Sequence, residues 1–251
     1  MTLLAIVALH ESGLPIYKKF KKGRERPMEP LIAAILGLAH ELKIGDISHV
    51  RFEKADLIVL RGFYDKSLLI ALLVERADHM SYTWGIYLLR KIEKALGKLP
   101  DFVNENMEIK VREIAEPFFD KFRQIPDFIG ESFTYAAQKF GPMFYSSLFL
   151  ILYKRFNEDP LIKLVRNPKE FTIELDKFLG EESTNHFFFE MFRYFCETYS
   201  NICEGIDVAD VRPALKRLLN TVRKKSKKQA TEAVWSILEQ VIDVFIAGEV
   251  G

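Results

Sequence analysis

The order of secondary-structure signals in residues 3–123 constrains the fold more than any other feature. A short apolar run at residues 3–9 is broken by a polar, glycine-containing turn, and strand character resumes at residues 14–20. This pattern indicates a β-hairpin. A long helical pattern at residues 29–44 comes next, and three strand patterns and two further helices follow it. The three strands are at residues 48–53, 56–61 and 67–75. The order ββαβββα predicts one five-stranded antiparallel sheet, with the helix at 29–44 against one face.

Several residues in this half are typical of helix ends. Pro30 is tolerated in the first turn of a helix, and Gly45 is a typical residue just after a helix. Ser81 is a candidate N-cap of the second helix, and Gly97 ends that helix. The third helix is predicted at about residues 104–122.

The character of the chain changes near Pro126, because strand signals end there and do not return. Glycine and proline then divide the remaining chain into five to seven predicted helices. Phenylalanine is dense between residues 133 and 195, which favours a well-filled core. The sequence therefore predicts an α+β domain at residues 1–125 and an all-helical, phenylalanine-rich domain at residues 126–251.

The composition describes a folded chain without an overall electrostatic preference. Of the 251 residues, 49% are hydrophobic and 28% are charged, which excludes an intrinsically disordered chain. The formal net charge is only +1, so no nucleic-acid partner is predicted from charge. Electrostatic binding has to come from local clusters.

The two cysteines, Cys196 and Cys203, are predicted to lie in one helix. A separation of seven positions on a straight helix places them about 10 Å apart, beyond the reach of a disulfide. Sparse, unpaired cysteines without metal-ligand spacing are typical of the reducing cytoplasm. The sequence therefore predicts a cytoplasmic protein.

The most hydrophobic stretch is residues 143–153, eleven residues between Lys139 and Lys154. A membrane-spanning helix needs about 20 apolar residues, so a buried helix of the globular fold is predicted here. The start of the chain lacks the basic segment of a signal peptide, and none is predicted.

Residues 1–123 resemble longin-like domains, the family found in SNARE N-terminal domains, small adaptor subunits of vesicle coats, TRAPP subunits and related activators of small GTPases. The likeness lies in a first strand reading Leu-Leu-Ala-Ile-Val-Ala-Leu, a turn with Glu11, Ser12 and Gly13, and a second strand beginning Leu-Pro-Ile-Tyr. The likeness also includes a three-strand meander that leads into a helix with aromatic residues. Profilin-like and roadblock folds have related layouts, and residues 128–251 resemble no family.

The resemblance implies a platform that binds other proteins. It implies a small GTPase or another longin-like chain as the partner, in a trafficking-type complex. Longin-like platforms also pair with each other, so the resemblance implies a homodimer or a heterodimer.

No catalytic residue, metal site or cofactor is predicted. The five histidines are scattered over different elements without the spacing of metal ligands, and no Gly-rich loop precedes a helix to hold phosphates. The histidines are His10, His40, His49, His79 and His186.

The first of two basic clusters follows the second strand. It consists of Lys18, Lys19, Lys21, Lys22, Arg24 and Arg26. A basic residue near an anionic membrane contributes about 1 kcal/mol, so this loop predicts peripheral contact with anionic lipid or with an acidic protein surface. The alternative is a solvated loop whose lysines protect the edge of the sheet.

The second basic cluster lies between residues 211 and 228, a stretch without acidic residues. Its members are Arg212, Lys216, Arg217, Arg223, Lys224, Lys225, Lys227 and Lys228. Partner binding explains the cluster as well as a solvated helix end does, where positive side chains suit the helix dipole. Aromatic residues are absent from it, which argues against single-stranded nucleic acid.

The three consecutive phenylalanines at residues 187–189 distinguish two candidate functions, an adaptor and a sensor of an apolar ligand. Three consecutive helical residues span about 200°, so Phe187, Phe188 and Phe189 cannot share one apolar stripe. Phe192 and Phe195 continue from Phe188 at helical spacing. This predicts a core stripe through Phe188, Phe192 and Phe195, with Phe187 or Phe189 facing a second helix, a cavity or a partner.

The function that the sequence predicts is a non-enzymatic adaptor or regulatory module. The alternative is a sensor with an apolar pocket of roughly 300 Å³ or more, formed around Phe187, Phe188, Phe189 and Phe192. A filled core around these rings favours the adaptor.

Overall fold

The computed structural model describes residues 2–21, 30–32, 34, 48–100 and 102–248 of the chain. The chain divides into two compact units, Met1–Arg123 and Gln124–Gly251, which we call the sheet unit and the helical unit. The division falls two residues before the predicted boundary between residues 125 and 126.

The sheet unit contains a five-stranded antiparallel sheet with the strand order β2-β1-β5-β4-β3. The strands are β1 (Leu3–His10), β2 (Pro15–Phe20), β3 (His49–Arg51), β4 (Asp56–Arg61) and β5 (Leu68–Val74). The predicted fold class, an α+β chain with this sheet followed by helices, is confirmed. All residues of β1 are buried, because both faces of the sheet are covered at this interior strand.

Two helices pack on one face of the sheet. α1 (His79–Leu96) contacts β4 and β5, and α2 (Glu105–Lys121) contacts β1 and β2. Gly85 permits the close approach of α1, since a Cβ atom there would lie 2.5 Å from Leu60 Cδ1. The predicted N-cap of α1 is wrong. Asp78 is the N-cap, and its carboxylate accepts a hydrogen bond from the backbone N–H of Ser81 at 2.9 Å.

The opposite face of the sheet carries a second apolar layer. Ile32 is fully buried in this layer, and residues 30–32 and 34 are helical, as the pattern at 29–44 predicts. The rest of that predicted helix, with its stop at Gly45, lies outside the described residues. The layer consists of Val7, Leu9, Ile32, Leu57, Val59, Leu69 and Ala71.

The helical unit contains seven helices in the residues that the structure describes. Side chains of Asp127, Asp159, Asn167 and Ser226 cap four of them by accepting backbone N–H groups. The helices are α3 (Phe128–Lys139), α4 (Phe144–Phe156), α5 (Pro160–Arg166), α6 (Pro168–Leu179), α7 (Glu181–Thr198), α8 (Val208–Lys224) and α9 (Lys227–Ala247).

The core of the helical unit is aromatic. Phe133, Phe171, Phe187 and Trp235 are fully buried, and the Phe133 ring lies 5.2 Å from Phe187 and 6.3 Å from Phe171. The Trp235 indole donates to the Val165 carbonyl at 2.8 Å, so its one polar group is satisfied. This core lies between α3, α6, α7 and α9.

The prediction of a buried helix at residues 143–153 is wrong. Only Leu148 and Leu152 of α4 are buried, whereas Met143 is 74% exposed, Leu150 52% and Tyr153 48%. The reason is that apolar side chains surround α4, while neighbouring helices cover one of its sides. No helix in the described parts of the chain is long and apolar enough to cross a membrane.

The prediction for the cysteines is also wrong. α7 ends at Thr198, the chain turns through residues 199–205, and Cys203 returns to Cys196 with a Cα–Cα distance of 5.3 Å, forming a disulfide. The error arose because one straight helix was expected to carry both residues.

Candidate functional site

The phenylalanine run in α7 divides between the core and an open cleft. Phe187 is 0% exposed and contacts α3, and Phe189 is buried with the Arg212 guanidinium 4.1 Å from its ring centre. Phe188 and Phe192 are half-buried. Of the predicted core stripe, Phe195 is buried, whereas Phe188 and Phe192 are not, because α7 packs against α3 on one side and α8 on another.

Phe188 and Phe192 instead belong to an apolar cleft between α7 and α9, which we call the α7–α9 cleft. One wall is a stripe on α7, and the facing wall is a stripe on α9, each with the spacing i, i+3, i+4, i+7. The α7 stripe is Phe188, Met191, Phe192 and Phe195, and the α9 stripe is Val234, Ile237, Leu238 and Val241. The floor is formed by Phe128, Ile129 and Ser132 of α3, with Leu164 and Val165 of α5.

The chemistry of the cleft is almost wholly apolar. Ser132 is its one polar residue, and the Ser132 hydroxyl already donates to the Phe128 carbonyl within α3. The cleft encloses about 190 Å³, and its rim residue Ile237 is 46% exposed. Such a surface can bury apolar groups, but it offers no charged or free polar side chain to orient a polar ligand.

The second basic cluster is partly neutralised by acids from other helices. Arg223 is only 12% exposed, and its Nε and Nη2 donate to the two carboxylate oxygens of Asp176 at 2.7 and 2.8 Å. The hydrogen bond to Asp176 holds the pKa of Arg223 above its ordinary value. Lys216 Nζ lies 2.7 Å from Glu182, so two of the predicted cations form ion pairs within the unit.

The remaining lysines of this cluster surround the turn between α8 and α9. Lys224, Lys225, Lys227 and Lys228 are exposed, and Lys169 Nζ donates to the Lys225 carbonyl. Lys227 and Lys228 occupy the first turn of α9, where the helix dipole is already positive. This turn therefore keeps a positive surface that attracts acidic groups.

The first basic cluster is only partly described. Lys18 is exposed, Lys21 is half-buried, and Lys19 Nζ lies 3.8 Å from Glu116 Oε1 on α2. Lys22, Arg24 and Arg26 lie outside the described residues. Within the described part, Lys19 therefore takes part in an ion pair inside the sheet unit.

A second apolar surface, on α4 and α6, was missed from the sequence. It is a hollow of about 450 Å³ with Ile151, Leu152 and Phe178 at its base. Glu174 lies at its edge and binds Lys177 at 2.6 Å and Arg155 at 2.8 Å. These hydrogen bonds, that from Lys177 foremost, lower the pKa of the Glu174 carboxyl. The apolar residues on every side of α4 were the signal, since one neighbouring layer cannot cover all of them.

In the described parts of the chain, His, Cys, Asp and Glu form no group of three or more that could hold a metal ion. His10 Nδ1 lies 2.7 Å from the Ser12 hydroxyl, but it also accepts the Ser12 backbone N–H at 3.2 Å, so the pair closes the hairpin turn. His186 Nδ1 lies 3.8 Å from Glu190 on the same helix.

Neither a protein-family model nor a curated protein matches the sequence. The candidate site therefore has to be interpreted from its own geometry.

Proposed function

We propose that the chain is a non-enzymatic adaptor or regulatory module that binds an amphipathic helix of a partner protein in the α7–α9 cleft. The supporting observation is that two apolar stripes with helical spacing face each other across one open cleft. A helix bound in a groove contacts it with anchors at i, i+3, i+4 and i+7. The two walls supply the apolar surface on which such anchors can pack.

The energetics of the cleft favour a ligand with several apolar anchors. Burial of one Leu, Ile or Phe side chain contributes about 1.5–3 kcal/mol. Association costs about 4–15 kcal/mol in lost freedom, so one anchor is not sufficient. Each stripe extends over about two helical turns, or roughly 10 Å, which accommodates several anchors of a helix.

The partner class rests on the likeness of the sheet unit to longin-like domains. We propose a small GTPase or another longin-like chain, including a second copy in a homodimer, within a trafficking-type complex. The strand and helix order of residues 3–123 supports this assignment. We also propose a cytoplasmic location, to which the cysteines lend no support because they form a disulfide, and peripheral contact with anionic membrane through the loop that begins at Lys18.

A sensor of a small apolar molecule is the second candidate function, because the cleft is lined by apolar side chains. Its volume of about 190 Å³ is small for this purpose. Pockets for drug-sized ligands enclose about 300–1,000 Å³. The volume therefore favours side chains of a bound helix over a whole ligand.

The test compares two variants of α9 with the same added charge. Leu238→Glu places a carboxylate in the cleft wall, and Ser236→Glu places one on an exposed position of the same helix. An unpaired carboxylate in an apolar site costs several kcal/mol, so Leu238→Glu is expected to weaken partner binding at least tenfold. Ser236→Glu is expected to bind like the wild type.

The measurement is affinity capture from native lysate with quantitative mass spectrometry, together with the solution mass of the purified protein to detect a second copy. Equal capture by both variants contradicts the proposed site. Solvent extraction of the purified proteins tests the second candidate function, the sensor of a small apolar molecule. An apolar molecule that is retained by the wild type and Ser236→Glu but lost from Leu238→Glu favours the sensor.

A further inference from the structure

The disulfide between Cys196 and Cys203 borders a surface hollow of the helical unit. Both cysteines line a hollow of about 340 Å³ together with Arg193, Glu197, Ser200 and Ile206. Cys203 is 9% exposed, while Cys196 is half-buried. The hollow therefore gives a thiol access to the disulfide, and Cys196 is the more exposed of the two residues.

The cation beside the disulfide, Arg193, lies between two carboxylates. Arg193 Nε lies 3.5 Å from Glu197, and Arg193 Nη2 lies 2.7 Å from Glu190 and 3.0 Å from the Tyr135 hydroxyl. The cation of the hollow is thus held in ion pairs within α7.

The disulfide also fixes a short, local segment. The two cysteines are seven positions apart, and they connect the last turn of α7 to the turns at residues 199–205. Cross-links that close short loops stabilise a fold less than those that close long ones. Opening this one therefore leaves the aromatic core of the unit in place and frees mainly these turns.

We propose that the Cys196–Cys203 disulfide is a site of reversible thiol–disulfide exchange that accepts a dithiol reductant through this hollow. The thiolate of the reductant attacks Cys196 Sγ, a mixed disulfide forms, and the Cys203 thiolate leaves and takes up a proton. The second thiol of the reductant then attacks its own sulfur in the mixed disulfide and releases the Cys196 thiolate, which is also protonated. The disulfide gains two electrons and two protons, and the reductant becomes a disulfide.

Reduction is expected to loosen one end of the α7–α9 cleft. Tyr199 lies in the fixed turn, with its ring 5.2 Å from Phe195 and 5.4 Å from Phe245. Phe195 is a wall residue of the cleft, and its ring lies 5.9 Å from Phe128 in the floor. If the proposed function holds, the reduced protein binds its partner helix more weakly. The exchange itself does not depend on that function.

The experiment treats the purified full chain with dithiothreitol without denaturant, traps free thiols with a maleimide, and counts the labels by intact mass. Two labels after reduction, none before it, and an unchanged far-ultraviolet circular dichroism spectrum are expected. Labels that appear only in urea, or two labels without reductant, overturn the proposal.

Two single variants identify the sulfur that is attacked. The Cys203→Ser variant leaves Cys196 free, and the Cys196→Ser variant leaves Cys203 free. Cys196 is expected to react with an aromatic disulfide reagent at least tenfold faster than Cys203, and equal rates overturn the order of attack.

Hydrogen exchange measures the released segment. Protection at residues 199–206 is expected to fall at least tenfold on reduction, while unchanged protection overturns the proposed loosening. Both results are independent of partner binding.

Discussion

Replacement of Phe187 and Phe192 by alanine separates the core of α7 from its open face. Phe187 is 0% exposed, and its ring centre lies 5.2 Å from Phe133, 6.0 Å from Phe140 and 6.1 Å from Phe188. Truncation of a fully buried phenylalanine loses the transfer free energy and leaves a cavity, at a cost of about 3–5 kcal/mol. Phe187→Ala is expected to fall in this range.

Phe192 gives the matched comparison on the same helix. It is half-buried in the cleft wall, so about half of its burial free energy is at stake, and the space left by the ring opens into the cleft. Full burial of a phenylalanine contributes about 1.5–3 kcal/mol, and Phe192→Ala is therefore expected to cost about 1 kcal/mol. The two variants should differ by at least about 2 kcal/mol, or more than tenfold in the unfolding equilibrium.

The assay is urea unfolding followed by tryptophan fluorescence. The chain has two tryptophans, Trp84 in the sheet unit and Trp235 in the helical unit. A Trp84→Phe background makes Trp235 the one reporter. A change in midpoint at constant slope gives the loss in free energy. If Phe192→Ala costs as much as Phe187→Ala, the assignment of Phe187 to the core and Phe192 to the cleft is wrong.

Two further predictions concern the sheet unit. Burial opposes ionisation of Asp56, but the backbone N–H of Ala77 and nearby basic side chains outweigh burial and lower the pKa of Asp56. The stabilisation is therefore present above the unfolded pKa of about 4 and is lost as the pH falls through the folded pKa. Asp56→Asn should flatten the acid side of the stability curve measured by urea unfolding, and parallel curves would contradict this. Replacing Lys18 and Lys21 by Gln should weaken binding to anionic vesicles at low salt roughly 30-fold, at about 1 kcal/mol per residue, and unchanged binding in a sedimentation assay would favour a solvated loop.

The sheet was predictable because its signals are local. A polar turn joins two apolar runs at residues 10–14, and Gly13 has the positive φ of 86° that such a turn uses. The sequence also indicates the strands β4 and β5, because each is a short apolar run between turn residues. Each signal is contained in a few neighbouring residues, and the antiparallel pairing of consecutive strands follows from short connections.

The failures concern partners distant in sequence and helix ends that no local signal marks. Arg223 belongs to a stretch without acids, yet Asp176 reaches it from α6, 47 positions away. The disulfide depends on where α7 ends, and no glycine or proline marks that end before Gly205. The sequence therefore predicted charges and elements, but not the neighbours that pair with them.

The candidate site was predictable only in part, because its residues lie on one of several apolar sides of α7. A periodic stripe indicates one apolar side of a helix, but α7 has buried residues facing α3, buried residues facing α8, and a third apolar side at the cleft. The hydrophobic pattern of the sequence does not distinguish these three sides of α7. Helix α4 is the opposite case, because it is apolar on several sides and neighbouring helices cover only one of them. Exposed apolar residues with helical spacing thus become informative only once the neighbours of each helix are known. The α7–α9 cleft is the place where two such stripes meet, and it is this pairing, more than the phenylalanine content, that favours a helix-binding adaptor.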